Sequence, residues 1–293
     1  LREMGYEVDP VMIKLRSSGV LIEYHPEVHP FDTFILCVKA ADGRLYYIDG
    51  GSNNAFVNIL PPLMLVPNAR LIKPKQYGWV DMTNLNRTNL VMSVYASLKP
   101  DMTFEGKVDA RFTGVRSYEE KSDFHSCGSE DKYIEKMEQE SSIEIGELTV
   151  TGTDEYSSQM MFSYDYVMDA DPMGDMIYVS PFLTRFHSPD AFQSLTRSCP
   201  IDFPSAYSVT YMYALNIPEG YSIEQVPENL NIKTEALDAI MRLDVQTAGA
   251  VVKVIFTYNQ KSMNGFMEDY ETIRQFWQYI NDVYDSMIVL KKI

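Results

Sequence analysis

Apolar residues along this chain fall mostly in short runs bounded by turn residues, which is the pattern of strands. Residues 1–6 read as the end of a helix stopped by Gly5 in the left-handed conformation, and residues 8–15 continue as a strand. Residues 33–39 (TFILCVK) are almost continuously apolar, which predicts a strand buried on both faces. Asp42-Gly43 then supplies a tight type I′ hairpin, with residues 44–49 (RLYYID) as the returning strand. From Trp79 the texture changes. Residues 90–98 and 104–112 flank the turn Lys99-Pro100-Asp101, and further strands are predicted at 143–150, 160–167, 176–179, 208–217, 240–245 and 251–258. Strands at this spacing favour a sandwich or an open antiparallel sheet. Two helices interrupt the series. A short one follows a Ser129 cap, with Glu130 and Asp131 in its first turn. A long one is predicted over 264–290, where Phe266, Tyr270, Ile273, Trp277, Ile280, Tyr284 and Met287 form one apolar stripe suited to lying on a sheet.

These elements divide the chain at the change of texture, into a block over 1–75 and a β-rich domain over 76–293 with the helix at its end. The class is mainly β, in an α+β arrangement. Tyr 20 and Phe 14 against Trp 2 agree with a strand-rich chain. Lys+Arg 25 against Asp+Glu 41 gives a net charge of −16, and such a surface repels phosphate backbones, so nucleic acid is excluded as a main partner. No apolar run approaches the ~18 residues of a membrane span. Three cysteines cannot build a disulfide framework. The chain opens at Leu1 inside a helix pattern, which reads as a fragment of a longer protein.

The segment LREMGYEVDPVMIKLRSSG, followed by FDTFILCVKAADGRLYYIDGG, resembles the second half of the transglutaminase-like core of bacterial exported proteins. The remainder, with Trp79-Val80-Asp81, Ile217-Pro218-Glu219-Gly220-Tyr221 and the final Ile288-Val289-Leu290-Lys291-Lys292, resembles the β-rich domain of unknown function that follows that core. The resemblance implies a partial transglutaminase/papain-like block followed by a β-sandwich, a periplasmic or cell-envelope location, and acyl-transfer chemistry. That chemistry needs a thiolate at a helix N-terminus, a histidine to exchange its proton and an acid to orient the imidazole. The cysteine position falls before Leu1. Thr33 occupies the histidine position, and a hydroxyl is no base near neutral pH. Asp49 keeps the acid position. The resemblance thus implies the fold, while Thr33 points to a non-catalytic binding or scaffolding portion with a protein or peptide partner. The alternative is a fragment of an active thiol enzyme whose nucleophile lies upstream.

Other chemistry-bearing residues offer little. His25 and His29 have the i, i+4 spacing of zinc ligands on a helix, but Pro26 and Pro30 oppose a helix there. His125 and Cys127 would share a face on a strand. Cys37 reads as a small core residue and Cys199 as a loop thiol. The acidic run Asp169 to Asp175 resembles a calcium loop but has Met173 at the fifth position and Ser180 at the twelfth, so a hairpin tip is expected. No phosphate loop or dinucleotide glycine motif occurs, so no cofactor is predicted. Tyr95, Tyr211 or Tyr213 could form aromatic platforms for a glycan, although alternating aromatics on strands more often face the core.

Overall fold

A computed structural model describes residues 1–19, 21–22, 31–74, 76–85, 87–154 and 156–293. The first sheet is antiparallel throughout and is built from β1 (Glu7–Ile13), β2 (Thr33–Lys39), β3 (Leu45–Ile48), β4 (Ala69–Lys73) and β5 (Gln76–Val80), in the order β3-β2-β1-β4-β5. Ile35, Cys37 and Tyr47 alternate onto one face with Val11 and Ile13, where they pack against Leu60, Leu65 and Val66. The other face is only partly covered. Val38 is buried, but Phe34 is 60% exposed. Strand β2 is therefore not buried on both faces as its sequence suggests, because no second layer meets the Phe34 end. The Asp42-Gly43 hairpin is also of another type. Only Gly43 has positive φ, Gly43 N–H donates to the Ala40 carbonyl, and Ala40 N–H donates to that of Arg44. This is a type I turn closed by a glycine bulge, with the Asp42 carboxylate accepting from Arg44 N–H at 3.0 Å.

The larger unit centres on an eight-stranded sheet. Its first half comes from β6 (Thr88–Leu98), β7 (Thr103–Thr113), β8 (Glu144–Thr151) and β9 (Gln159–Asp169). Between β7 and β8 lie α1 (Val115–Cys127) and α2 (Glu130–Ser141). After β9 come β10 (Pro172–Met173), β11 (Met176–Val179), β12 (Ile201–Asp202), β13 (Tyr207–Asn216), β14 (Tyr221–Gln225), β15 (Leu230–Thr234), β16 (Ala239–Ala248), β17 (Val251–Gln260) and β18 (Asn264–Gly265). The chain ends with α3 (Tyr270–Tyr284) and β19 (Ile288–Lys292). The large sheet runs β15-β16-β17-β13-β6-β7-β9-β8, and its neighbours are antiparallel except β6 and β13, which pair in parallel from Thr88↔Tyr207 to Ser97↔Asn216. The molecule is mainly β with antiparallel sheets and a helix near its end, as expected. The layer facing the large sheet is composite, made of the helices and a small sheet, β10-β11-β19-β14. Gly106 is needed in β7 because the Tyr166 ring lies over it; a Cβ there would sit 2.0 Å from the Tyr95 carbonyl oxygen.

The helices differ from the sequence reading in two ways: α1 is a third helix that the sequence pattern does not predict, and the C-terminal helix is shorter than expected. α1 carries no apolar stripe; its buried residues are Val115, Ser117 and Lys121. It is fixed by polar contacts instead. Val115 N–H donates to Thr88 Oγ1 at 3.1 Å, and the Lys121 ammonium donates to the carbonyls of Asp154 and Ser157 at 2.9 and 2.5 Å. The C-terminal helix is shorter than 264–290. Asn264–Gly265 pairs with β12, and residues 288–292 leave the helix to become the strand between β11 and β14. Phe266 and Met287 consequently lie outside it and are 67% and 40% exposed, while Tyr270, Ile273, Trp277, Ile280 and Tyr284 are buried. The short α2 starts as predicted, with Ser129 accepting from Lys132 N–H.

The two units share a core and a polar clamp. Val115 and Met263 pack into the core of the first sheet. Arg16 reaches across to the Asp202 carboxylate and to the carbonyls of Phe203 and Pro204, at 2.6 and 3.0 Å.

Under α3, His187 lies in an aromatic cage. Its Nδ1 meets Tyr284 Oη at 2.8 Å, and the Tyr258 and Trp277 rings stand edge-on at 4.4 and 5.2 Å. Burial lowers its pKa to about 3, with the Arg116 charge acting in the same direction. The unfolded chain, with an imidazole near ~6.5, takes the proton first. This contribution to stability is therefore present above pH ~6.5 and is lost as pH falls toward about 3. Urea titrations should show wild type losing stability between pH 7 and 4 more steeply than His187→Phe; equal slopes would contradict a neutral buried imidazole. Trp277 donates from Nε1 to the Ser188 carbonyl at 3.1 Å and packs on Phe192 and Phe203. Trp277→Ala is expected to lower stability by ~3–5 kcal/mol. A thermal melt with light scattering tests this: an unchanged melt with altered association would instead make the helix an interface.

Candidate functional site

Thr33 opens β2 opposite Ile13, and Asp49 follows β3 directly. Cys37 pairs with Tyr47, so the odd-numbered residues of β2 and β3 share the inner face, and Thr33 and Asp49 are placed on that side of neighbouring strands. Both are half-buried. Asp49 Oδ1 accepts from Gly51 N–H at 2.9 Å. Its Oδ2 is buried with no donor among the described residues. The loop beyond docks on α1 through Asn54 Nδ2, which donates to Ser122 Oγ at 2.8 Å. The sheet thus brings a hydroxyl and a carboxylate to one face. His25 and His29 lie outside the described residues.

None of the three thiols has the setting of a nucleophile. Cys37 shares the face of Thr33, yet burial pushes its thiol up, the opposite of activation. Its neighbour Tyr47 is pushed up to about 12, by burial first and by the Cys37 charge second. Cys127 ends α1, the carbonyl end of a helix, whereas thiolates are favoured at the amino end. His125 and Cys127, which would share a face only on a strand, lie on a helix instead. They sit on a helical turn two residues apart, pointing in different directions, and His125 Nε2 contacts the Thr153 carbonyl at 2.8 Å. Cys199 is exposed. Among the described residues no group of three His, Cys, Asp or Glu could hold a metal. The acidic run is a hairpin, with Pro172↔Ile177 and Met173↔Met176 paired around Gly174. Of the tyrosine platforms, Tyr211 and Tyr213 are buried in the core and only Tyr95, 53% exposed, stands open. No helix among the described residues is long and apolar enough to cross a membrane.

A cleft of about 370 Å³ lies between α1, α2, the large sheet and residues 183–186. Its floor is apolar, from Met92, Phe112, Phe162 and Tyr164, and Glu120 lines its wall. Tyr133 Oη donates to Glu120 Oε1 at 2.5 Å. Burial raises the Glu120 pKa, against the lowering effects of the Tyr133 hydrogen bond and the Arg116 charge. The only sequence signal was indirect: Arg116, Glu119, Glu120 and Asp123 crowd a helix with no apolar stripe.

The family model for a domain of unknown function with solved structure, DUF3858, matches residues 175–290. That span runs from the start of β11 into β19. The chain is also similar to the crystal structure of a candidate protease from Parabacteroides distasonis ATCC 8503, with a TM-score of 0.52 and 9% identity. The alignment covers 99% of this chain and 41% of that one, so this chain spans about two fifths of that protein's length. At such identity the likeness is one of fold. The search of curated proteins gave no match.

The burial of the thiols has a direct chemical readout. In the native protein, Ellman's reagent should modify Cys199 first, Cys127 more slowly and Cys37 only on unfolding. Native-state labelling of Cys37, located by peptide mapping, would contradict its place in the core.

Proposed function

We propose that this chain is a non-catalytic binding or scaffolding portion of an exported, transglutaminase-like protein of the bacterial cell envelope, with a protein or peptide partner. One observation carries the reading: on the face where the family chemistry needs an imidazole beside an acid, Thr33 stands on the side of Asp49. A hydroxyl there neither accepts a proton from a thiol nor returns it to a leaving group. Binding is further supported by the open face of the first sheet, where Phe34, Ile72 and Trp79 are exposed.

A second reading is a portion of an active thiol enzyme, peptidase or transglutaminase-like, whose cysteine belongs to an upstream segment. It is favoured by the fold shared with a candidate protease and by the buried Oδ2 of Asp49, which has no donor among the described residues. Assays of amine incorporation into glutamine peptides, and of peptide hydrolysis, separate the two. This chain is expected to match buffer in both. Turnover abolished by Cys127→Ala or Cys199→Ala would overturn the non-catalytic reading.

A further inference from the structure

The charges around the Glu120 cleft are unevenly satisfied. Arg116 pairs with Glu119 at 3.2 Å, Lys136 with Asp123 at 2.5 Å, and Arg185 with Asp285 at 2.5 Å. Lys136 also approaches Glu140 at 3.9 Å. Each cation at the rim therefore has a carboxylate of its own. Glu120 has none: among the described residues no Lys, Arg or His lies within ion-pair distance of it, and its protein hydrogen bond is the one from Tyr133 to Oε1. Among the described residues Oε2 receives no donor. A half-buried carboxylate with a free oxygen, at the wall of a cleft with an apolar floor and a charged rim, has no cation within ion-pair distance among the described residues.

We propose that this cleft binds a primary ammonium group on an apolar stem, with the ammonium on Glu120 Oε2 and the stem on Met92, Phe112, Phe162 and Tyr164. The cleft volume of about 370 Å³ lies at the small end of ligand pockets, ~300–1,000 Å³, and suits a short alkyl chain. Two sources share this chemistry, a free aliphatic amine and the lysine side chain of a peptide. Anions are disfavoured twice, because the rim cations are already paired and the chain carries a net charge of −16, a field that concentrates cations near the surface. The raised Glu120 pKa agrees, since burial is its largest cause and outweighs the lowering effects of the Tyr133 hydrogen bond and the more distant Arg116 and Lys136 charges. This inference does not depend on whether the Thr33 face is silent; it concerns a separate cleft, and its readout is binding.

The test is calorimetric titration of the intact chain with hexylamine, acetyl-lysine methylamide, hexanol and sodium hexanoate, each to about 10 mM, a range that covers weak pocket binding. Hexylamine is expected to bind at least ~10-fold more tightly than hexanol, with hexanoate silent. Glu120→Gln, which keeps an acceptor for Tyr133, should weaken hexylamine by ~10-fold or more. Thr184→Trp, at the cleft wall, should block it while leaving the fold intact by circular dichroism. The lysine amide binding as well as hexylamine would assign the site to peptides; a much weaker lysine amide would assign it to free amines. Hexanol or hexanoate binding as tightly as hexylamine, no amine binding, or amine binding unchanged in both variants would overturn the proposal.

Discussion

The larger unit is governed by a sheet with one strongly apolar face and no partner sheet of its own size. Leu90, Met92, Val94, Phe112, Tyr164, Tyr211, Phe256 and their neighbours must leave water, and separate stretches of chain are recruited to cover them. α1 and α2 take one end, and α3 with the small sheet takes the other. Residues 182–187 fill the middle, where Phe182 stacks on Tyr211 and His187 fits the cage under α3. Cover assembled from separate pieces leaves seams. The Glu120 cleft is one of these, which explains how a carboxyl comes to stand beside aromatic floor residues without any local motif.

The first sheet depends on this unit for part of its own core. Val115 and Met263 complete the packing begun by Val11, Ile35 and Leu60, and Arg16 ties the edge to residues 202–204. The Thr33 face thus looks inward, and α1 stands next to it through Asn54 and Ser122. This face presents Thr33, Asp49 and a buried Cys37. Its electrostatics suit a neutral structural thiol.

Much of the strand layout was legible because hairpins are local: a run, a turn and a returning run lie close together in sequence, as with β6 and β7 or β16 and β17. α1 was not legible. Its buried positions include Ser117 and Lys121, and what holds it, two loop carbonyls on one ammonium, is tertiary. The end of α3 was misjudged because residues 287–290 continue a helical apolar spacing by coincidence, while the burial of Ile288, Val289 and Leu290 comes from β11 and β14. Of the site, Asp49 and Thr33 were readable only through a family pattern. Glu120 was invisible, since an isolated Glu on a polar helix resembles a solvated face until its neighbours are known.

One pairing has a consequence for how the chain is made. β6 is joined in parallel to β13, and everything from β7 to β12 separates them in sequence. During synthesis β6, β7, β8 and β9 can form as hairpins while the free side of β6 waits for a strand that has not yet left the ribosome. That side is a long row of unpaired amides and carbonyls on an eleven-residue strand. In the nascent chain it is the edge most open to capture by another molecule, and a chaperone that shields Thr88–Leu98 until Tyr207–Asn216 emerges would act at the point of greatest exposure.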